Sequence, residues 1–213
     1  MSRGRVLLAD DHQIIVEGLR SLLTPEFDVV GTVCDGRALV AQAAALQPDV
    51  MVVDISLPLL NGIEAIRQII KAEPHARIVV LTMHPDVIYA LRAFDAGALS
   101  YVVKHSASNE LIAAIDAALK GEMYISPRLA KAWFQASQEK DARRHNTLDV
   151  LTPRQREVLQ LLAEGATAKE VAAQLQISSR TVEYHKYRVM SVLDLKTNAD
   201  LVQYAIKAGL VAM

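Results

Sequence analysis

The chain's 213 residues are 52% hydrophobic and 22% charged, as in an ordinary soluble globular chain with enough apolar material for a core and a length of one or two domains. Its one cysteine, Cys34, excludes a disulfide framework or a cysteine-based zinc site and fits a reducing compartment. No run approaches the ~18 apolar residues of a membrane span, and Met1 to His12 includes two aspartates where a signal peptide stays apolar, so a cytoplasmic protein is expected.

From the amino end, short apolar runs alternate with helical patterns. Strands are expected at Arg5–Ala9, Asp28–Val33 (interrupted by Gly31), Asp49–Val53, Arg77–Leu81 and Leu99–Val103. Between and after them, Ile15/Leu19/Leu22/Leu23, Leu39/Ala43/Leu46, Ile63/Ile66/Ile69/Ile70, Val87/Leu91/Phe94 and Leu111/Ile115/Leu119 recur at helical spacing. Asn61 with Glu64 reads as a cap and its reciprocal acid, opening the third of these helices. Five strands alternating with five helices make an α/β fold, a doubly wound five-stranded parallel sheet.

Residues 123–149 read as a linker. Ser126-Pro127 looks like a helix start, with Leu129, Ala130, Ala132, Trp133, Phe134 and Ala136 on an apolar face, before a polar, aperiodic tether over 138–146. Residues 150–213 then announce four helices by their caps. These are Thr152-Pro153-Arg154-Gln155, Thr167-Ala168-Lys169-Glu170, Ser178 or Ser179, and Asn198. Gly165 closes the first, and Gln176-Ile177-Ser178 is a tight link between the second and third, the spacing of a helix-turn-helix. Charge divides along the same line: residues 1–142 hold 13 Lys/Arg against 17 Asp/Glu, and residues 143–213 hold 10 against 7. A mildly basic second part points toward nucleic acid.

The chemistry lies at the strand ends. The first strand runs into Asp10-Asp11, the third into Asp54, the fourth into Thr82 and the fifth into Lys104. Open α/β sheets place ligands at the carboxyl ends of their strands. Gathered carboxylates repel unless a cation is present, and oxygen-only ligands favour a hard ion, so Mg²⁺ is expected. A carboxylate beside Mg²⁺ and a lysine is set up to attack a phosphoryl group, because both cations neutralise charge on the transferring oxygens.

Asp10-Asp11, Asp54 with Pro58 and Gly62, Thr82 and Lys104 together resemble the receiver domain of bacterial two-component response regulators, over residues 1–122. The resemblance implies that Asp54 accepts a phosphoryl group from a sensor histidine kinase. It implies Mg²⁺ bound by Asp11, Asp54 and the backbone carbonyl of Ser56, with Asp10 helping through water. Lys104 would pair with the phosphoryl group, Thr82 would turn toward it, and Tyr101 matches the aromatic that changes rotamer with Thr82. Ser56 and His84 would flank the phosphoryl site and tune its lifetime.

The second part, through Leu151-Thr152-Pro153-Arg154-Gln155-Arg156-Glu157, Lys169-Glu170-Val171-Ala172 and Ser178-Ser179-Arg180-Thr181-Val182-Glu183-Tyr184-His185, resembles the LuxR-type DNA-binding domain. The two together are similar to a NarL/FixJ-type transcriptional regulator. That implies a third helix in the major groove of double-stranded promoter DNA, with Glu183, Tyr184 and Tyr187 toward the bases. Thr181, Lys186, Arg188 and Lys196 would mostly hold phosphates. Leu201, Tyr204 and Ala205 of the fourth helix would form the contact of a DNA-bound homodimer. Phosphorylation would draw Thr82 and Tyr101 inward, reshape the face of the fourth helix and fifth strand, and favour dimers.

Two other readings compete. An aspartyl-phosphate enzyme would use the same Asp54 and Mg²⁺ on a phosphorylated metabolite, but Ser56 stands where such enzymes carry a second aspartate. Alternatively, the receiver acts only as a protein-interaction module beside a DNA-binding domain. The expectation is a regulator that catalyses at most its own phosphoryl transfer and dephosphorylation, with no membrane partner.

Overall fold

A computed structural model of the chain describes residues 3–138, 148 and 150–211. Its first part is a parallel sheet of β1 (Arg5–Ala9), β2 (Asp28–Val33), β3 (Val50–Val53), β4 (Ile78–Thr82), β5 (Ser100–Val103) and β6 (Tyr124–Ile125), in the order β2-β1-β3-β4-β5-β6. The order reverses between β1 and β3. That is the switch point at which such sheets open a crevice beyond their carboxyl ends.

Alternation along the strands builds two cores. Leu7, Met51, Val53, Ile78 and Val80 face α2 (Gly36–Leu46), α3 (Gly62–Ala72) and α4 (Val87–Asp95). Val6, Leu8, Val50, Val52, Val79 and Leu81 face α1 (Gln13–Leu23) and α5 (Ala107–Leu119). Period-2 side chains on a sheet covered on both faces read in sequence as unbroken apolar runs, and all four residues of β3 are buried.

The sheet has six strands rather than the expected five. β6 pairs parallel with β5, Ser100 opposite Tyr124 and Tyr101 opposite Ile125. Two residues are too few to show a period, so the strand exists because β5 offers it an open edge. Buried Ser126 pins the junction: its hydroxyl accepts from Val103 N at 3.1 Å and donates to Glu110. Next, α6 (Pro127–Gln138) packs Trp133 edge-on against Phe94 of α4 at 5.3 Å, while Phe134 stays 60% exposed. The polar tether expected over 138–146 lies, but for Gln138, outside the described residues.

The second part comprises α7 (Pro153–Ala163), α8 (Ala168–Leu175), α9 (Ser179–Val192) and α10 (Asn198–Lys207). Thr152 with Gln155 and Thr167 with Glu170 form reciprocal capping boxes, and Ser178 caps α9. Thr197 caps α10 with Asp200 answering, one residue before the expected start. Two small cores hold the four helices: Leu159, Val189, Leu201, Ala205 and Leu210 in one, Val158, Leu161, Val171, Leu175 and Val182 in the other.

The helical part docks on the carboxyl end of the sheet. Gln160 Oε1 accepts from Asn61 N at 2.7 Å and its Nε2 donates to Leu57 O at 3.0 Å. Asn61 Nδ2 donates to Gly209 O at 3.0 Å, and Arg92 Nη1 to Ala208 O at 2.7 Å. Arg156 Nε lies 2.8 Å from Glu64 Oε1, and Arg37 Nη1 donates to Gln174 O at 2.7 Å.

Candidate functional site

Asp10 and Asp54 end neighbouring strands at the switch point, with their side chains 3% and 4% exposed. Ligand atoms of Asp10, Asp11, His12 and Asp54 all lie within 4.8 Å of one another. Gly62 lets this happen. A Cβ there would sit 2.0 Å from the Asp54 carbonyl oxygen, so only glycine allows the start of α3 to close against β3.

Lys104, at the end of β5, reaches across. Its ammonium lies 2.6 Å from Asp10 Oδ2 and 2.7 Å from Asp54 Oδ2. Burial pulls its pKa down, but the Asp54 charge and the bonds to both carboxylates outweigh this and hold it above the ordinary lysine value. Three carboxylates face one ammonium, and that excess of negative charge on oxygen donors is compatible with a divalent metal such as Mg²⁺. His12 was not anticipated. Its Nδ1 stands 2.8 Å from Asp11 Oδ1, but the side chain is 61% exposed.

Thr82 and Ser56 border the site. Ser56 N approaches Asp54 Oδ1 at 3.4 Å, and Ser56 Oγ pairs with His84 Nε2 at 3.1 Å. Burial lowers the pKa of His84, favouring the neutral ring. Its ring stacks on Tyr89 at 4.4 Å, and its backbone carbonyl accepts from the Tyr101 hydroxyl at 2.8 Å. Thr82 and Tyr101 are both 0% exposed. The inward swing expected of Tyr101 therefore has no outward starting point in this structure, because the bond to His84 already holds the ring inside.

In the second part, α9 turns Val182 and Val189 into the core and leaves Tyr184 and Tyr187 61% and 67% exposed. Arg188 is exposed beside them, while Thr181 is partly exposed. Glu183 and Lys186 are half-buried and line a cleft with Thr167 and Asn198, so neither stands as far forward as the two tyrosines. Lys196 is exposed and paired with Asp194. Leu201 and Ala205, expected at a dimer contact, are 2% and 0% exposed within their own domain's core. Neither offers a surface to a second chain, and Tyr204 is only partly exposed. His185 is half-buried, its pKa lowered by burial and then by Arg154.

Sequence reasoning missed Gln160, Glu164, Tyr89 and Arg92, which join the two parts. Gln160 is 1% exposed, an oddity for a glutamine in an apolar stripe, and that stripe was the one available signal.

Comparison with known proteins accounts for both parts. The family described as "Response regulator receiver domain" matches residues 6–116, and "Bacterial regulatory proteins, luxR family" matches residues 149–205. The oxygen regulatory protein NreC of Staphylococcus carnosus is 33% identical over 213 residues, covering 97% of this chain and 98% of that protein. A crystal structure of a LuxR-family two-component response regulator from Aurantimonas is 39% identical with a TM-score of 0.61, covering 65% of this chain and all of that one. RcsB from Salmonella enterica serovar Typhimurium, solved bound to a promoter in the presence of the phosphomimetic BeF3-, is 27% identical with a TM-score of 0.60 over 99% of this chain and 100% of that one.

Proposed function

This chain belongs to the two-component response regulators that join a receiver to a luxR-type DNA-binding domain, and on that footing we propose that phosphorylation of Asp54 by a sensor histidine kinase switches its binding to promoter DNA. The receiver is assigned to residues 1–122, the linker to 123–149 and the DNA-binding domain to 150–213. The observation that supports the switch best is the Lys104 ammonium bridging Asp10 and Asp54 at the sheet's crevice.

In transfer, the Asp54 carboxylate attacks phosphorus, the bond to the donor's imidazole nitrogen breaks, and that nitrogen leaves with the bonding electron pair as neutral imidazole, its ring's other nitrogen already carrying a proton. Lys104 passes from its carboxylate bridge to the new phosphoryl oxygens. Thr82 hydrogen-bonds the acyl phosphate. Asp11, Asp54 and the Ser56 carbonyl, with Asp10 through water, would hold Mg²⁺, which supplies positive charge against the phosphoryl oxygens. Family membership sets aside the aspartyl-phosphate enzyme: the protein is a DNA-binding regulator, with phosphoryl transfer at most. No helix of the described residues is long and apolar enough to cross a membrane, and we place its work in the cytoplasm.

On DNA, α9 enters the major groove with Tyr184, Tyr187 and Glu183 toward the bases, and Thr181, Lys186, Arg188 and Lys196 on phosphates. A homodimer would address two half-sites, its helical contact centred on Tyr204 because Leu201 and Ala205 are interior. The test is binding to promoter fragments with and without acetyl phosphate and Mg²⁺, beside Asp54→Ala. Binding that tightens only with phosphodonor and intact Asp54 is expected, and equal binding in all three would overturn the switch.

A further inference from the structure

The amino end of the sheet, opposite the acidic site, carries the contrary charge. Arg5 opens β1, whose far end runs into Asp10, and Arg3 stands two residues before it. Arg20 lies in the last turn of α1, and the turn into β2 brings Thr24 and Phe27 alongside. With Asp28 and Val29 of β2, these residues line a cavity of about 540 Å³, inside the range of roughly 300–1,000 Å³ usual for small-molecule sites. Three arginines line it against one aspartate.

Neutral groups hold two of the guanidiniums in place. Arg5 Nη1 donates to Gln47 O at 2.8 Å and Arg3 Nη1 to Thr24 O at 3.2 Å. A carbonyl occupies one of a guanidinium's five N–H donors and leaves its charge uncancelled. Asp49 accepts the Arg5 backbone N–H at 2.7 Å rather than its guanidinium. Among the described residues neither Arg5 nor Arg20 forms an ion pair, whereas Arg154 and Arg156 pair with Glu157 and Glu64. Arg20 does have a local role, since a cation in the last turn of α1 meets the carbonyl end of the helix dipole. That accounts for one arginine, but not for Arg5 at the start of a strand, nor for the convergence of all three. Phe27, 5% exposed, and Val29 give the cavity an apolar wall beside its cationic one.

We propose that this cavity binds a free organic phosphate of the nucleoside polyphosphate class, with its phosphoryl oxygens on Arg3, Arg5 and Arg20 and its planar base against Phe27 and Val29. Arginine's planar fork takes two oxygens of one phosphate, so forks converging from a strand, a helix end and the segment before β1 suit a ligand with more than one phosphate group. Asp28 is the acceptor available to a ribose hydroxyl or a base amino group. The site lies at the other end of β1 from Asp10, and the assignment does not depend on Asp54 being a phosphoacceptor. The phosphate headgroup of an anionic lipid shares the head chemistry but brings no planar base, so the two sources separate by experiment.

The test titrates the full chain with ATP and with inorganic pyrophosphate by calorimetry, in metal-free buffer of low ionic strength, where the acidic site repels anions. Amide resonance shifts on adding ATP locate the ligand in the unaltered chain, independently of any variant. Arg5→Gln and Arg20→Gln each remove one fork from a different element, so a folding defect in one leaves the other informative. One ATP per chain is expected, bound more tightly than pyrophosphate, with shifts at the Phe27 and Val29 amides. Each variant should bind ATP about tenfold more weakly, the loss of a charge-assisted hydrogen bond, and added salt should weaken binding throughout. Shifts confined to α9 would place the anion on the DNA-binding domain and overturn the site, as would unchanged affinity in both variants or no binding of ATP. Pyrophosphate binding as tightly as ATP would remove the base from the assignment and overturn the ligand class. Co-sedimentation with phosphatidylcholine vesicles containing phosphatidic acid, lost in both variants while ATP does not bind, would give the forks to a lipid surface and overturn the free ligand.

Discussion

The acidic site draws its side chains from positions 44 and 50 residues apart, Asp10 to Asp54 to Lys104, whereas the proposed reading face of α9 comes from one run of 14 residues. The first is charge at the sheet's end, where the Lys104 ammonium contacts two carboxylates that are 3% and 4% exposed and would lose their shared cationic partner with it. The second is an exposed helix face on which the core residues, Val182 and Val189, are separate from the proposed DNA contacts, Tyr184, Tyr187 and Arg188. In the receiver, chemistry and stability reside in the same atoms. In the DNA-binding domain they are separable, so its specificity can vary without refolding it.

Substitutions should expose that contrast. The largest effect is expected for Lys104→Met, which strands Asp10 and Asp54 without their ammonium. Denaturation in metal-free buffer should show a loss of about 3 kcal/mol, partly recovered on adding Mg²⁺. A loss under 1 kcal/mol would mean the two carboxylates are better hydrated than their burial indicates. Thr152→Ala removes one reciprocal cap from α7 and should cost about 1 kcal/mol in thermal unfolding of the second part, with labelling of Asp54 unaffected except through docking.

Acid should separate the parts more gently. Backbone N–H bonds from Thr167 to Glu170 and from Thr197 to Asp200 hold both carboxyls below their ordinary values. A depressed folded pKa contributes stability that is present above the unfolded value and lost as pH falls through the folded one. Helicity of α8 and α10 should therefore weaken below the ordinary carboxylate range, and Glu170→Gln with Asp200→Asn should flatten the dependence. The smallest effect on stability is expected for Arg188→Ala, within about 0.5 kcal/mol, although the slope of DNA affinity against salt should fall by about 1. A destabilised Arg188→Ala would break the separation between readers and core.

Much of this was legible because local rules decide it. β1 and β2 fall where the apolar runs placed them, and the boxes at Thr152 and Thr167 stand as their spacing indicated. Other features were hidden for definite reasons. Leu201 and Ala205 are four apart on one helix face, and such a stripe looks the same whether it meets its own core or a second chain. β6 is two residues long, below any periodic signal. Tyr101 is aromatic and central in its strand either way, and only the His84 carbonyl shows which way its hydroxyl points.

The sequence by itself determined an alternating α/β part followed by four capped helices, and it named Asp10, Asp11, Asp54, Thr82 and Lys104 by their places after the apolar runs. Those are matters of period, cap chemistry and charge, each readable within a few residues. Only the tertiary structure decided that Lys104 bridges two of the three aspartates and that Gln160 and Glu164 hold the loop leaving β3. It alone decided that Leu210 and Val211, after α10, line a cavity with Asp11 and Ser56. The contacts between the two parts join residues about 100 or more positions apart, and Lys104 meets Asp54 across 50, so their free energy depends on folded surfaces meeting and no local pattern records the match.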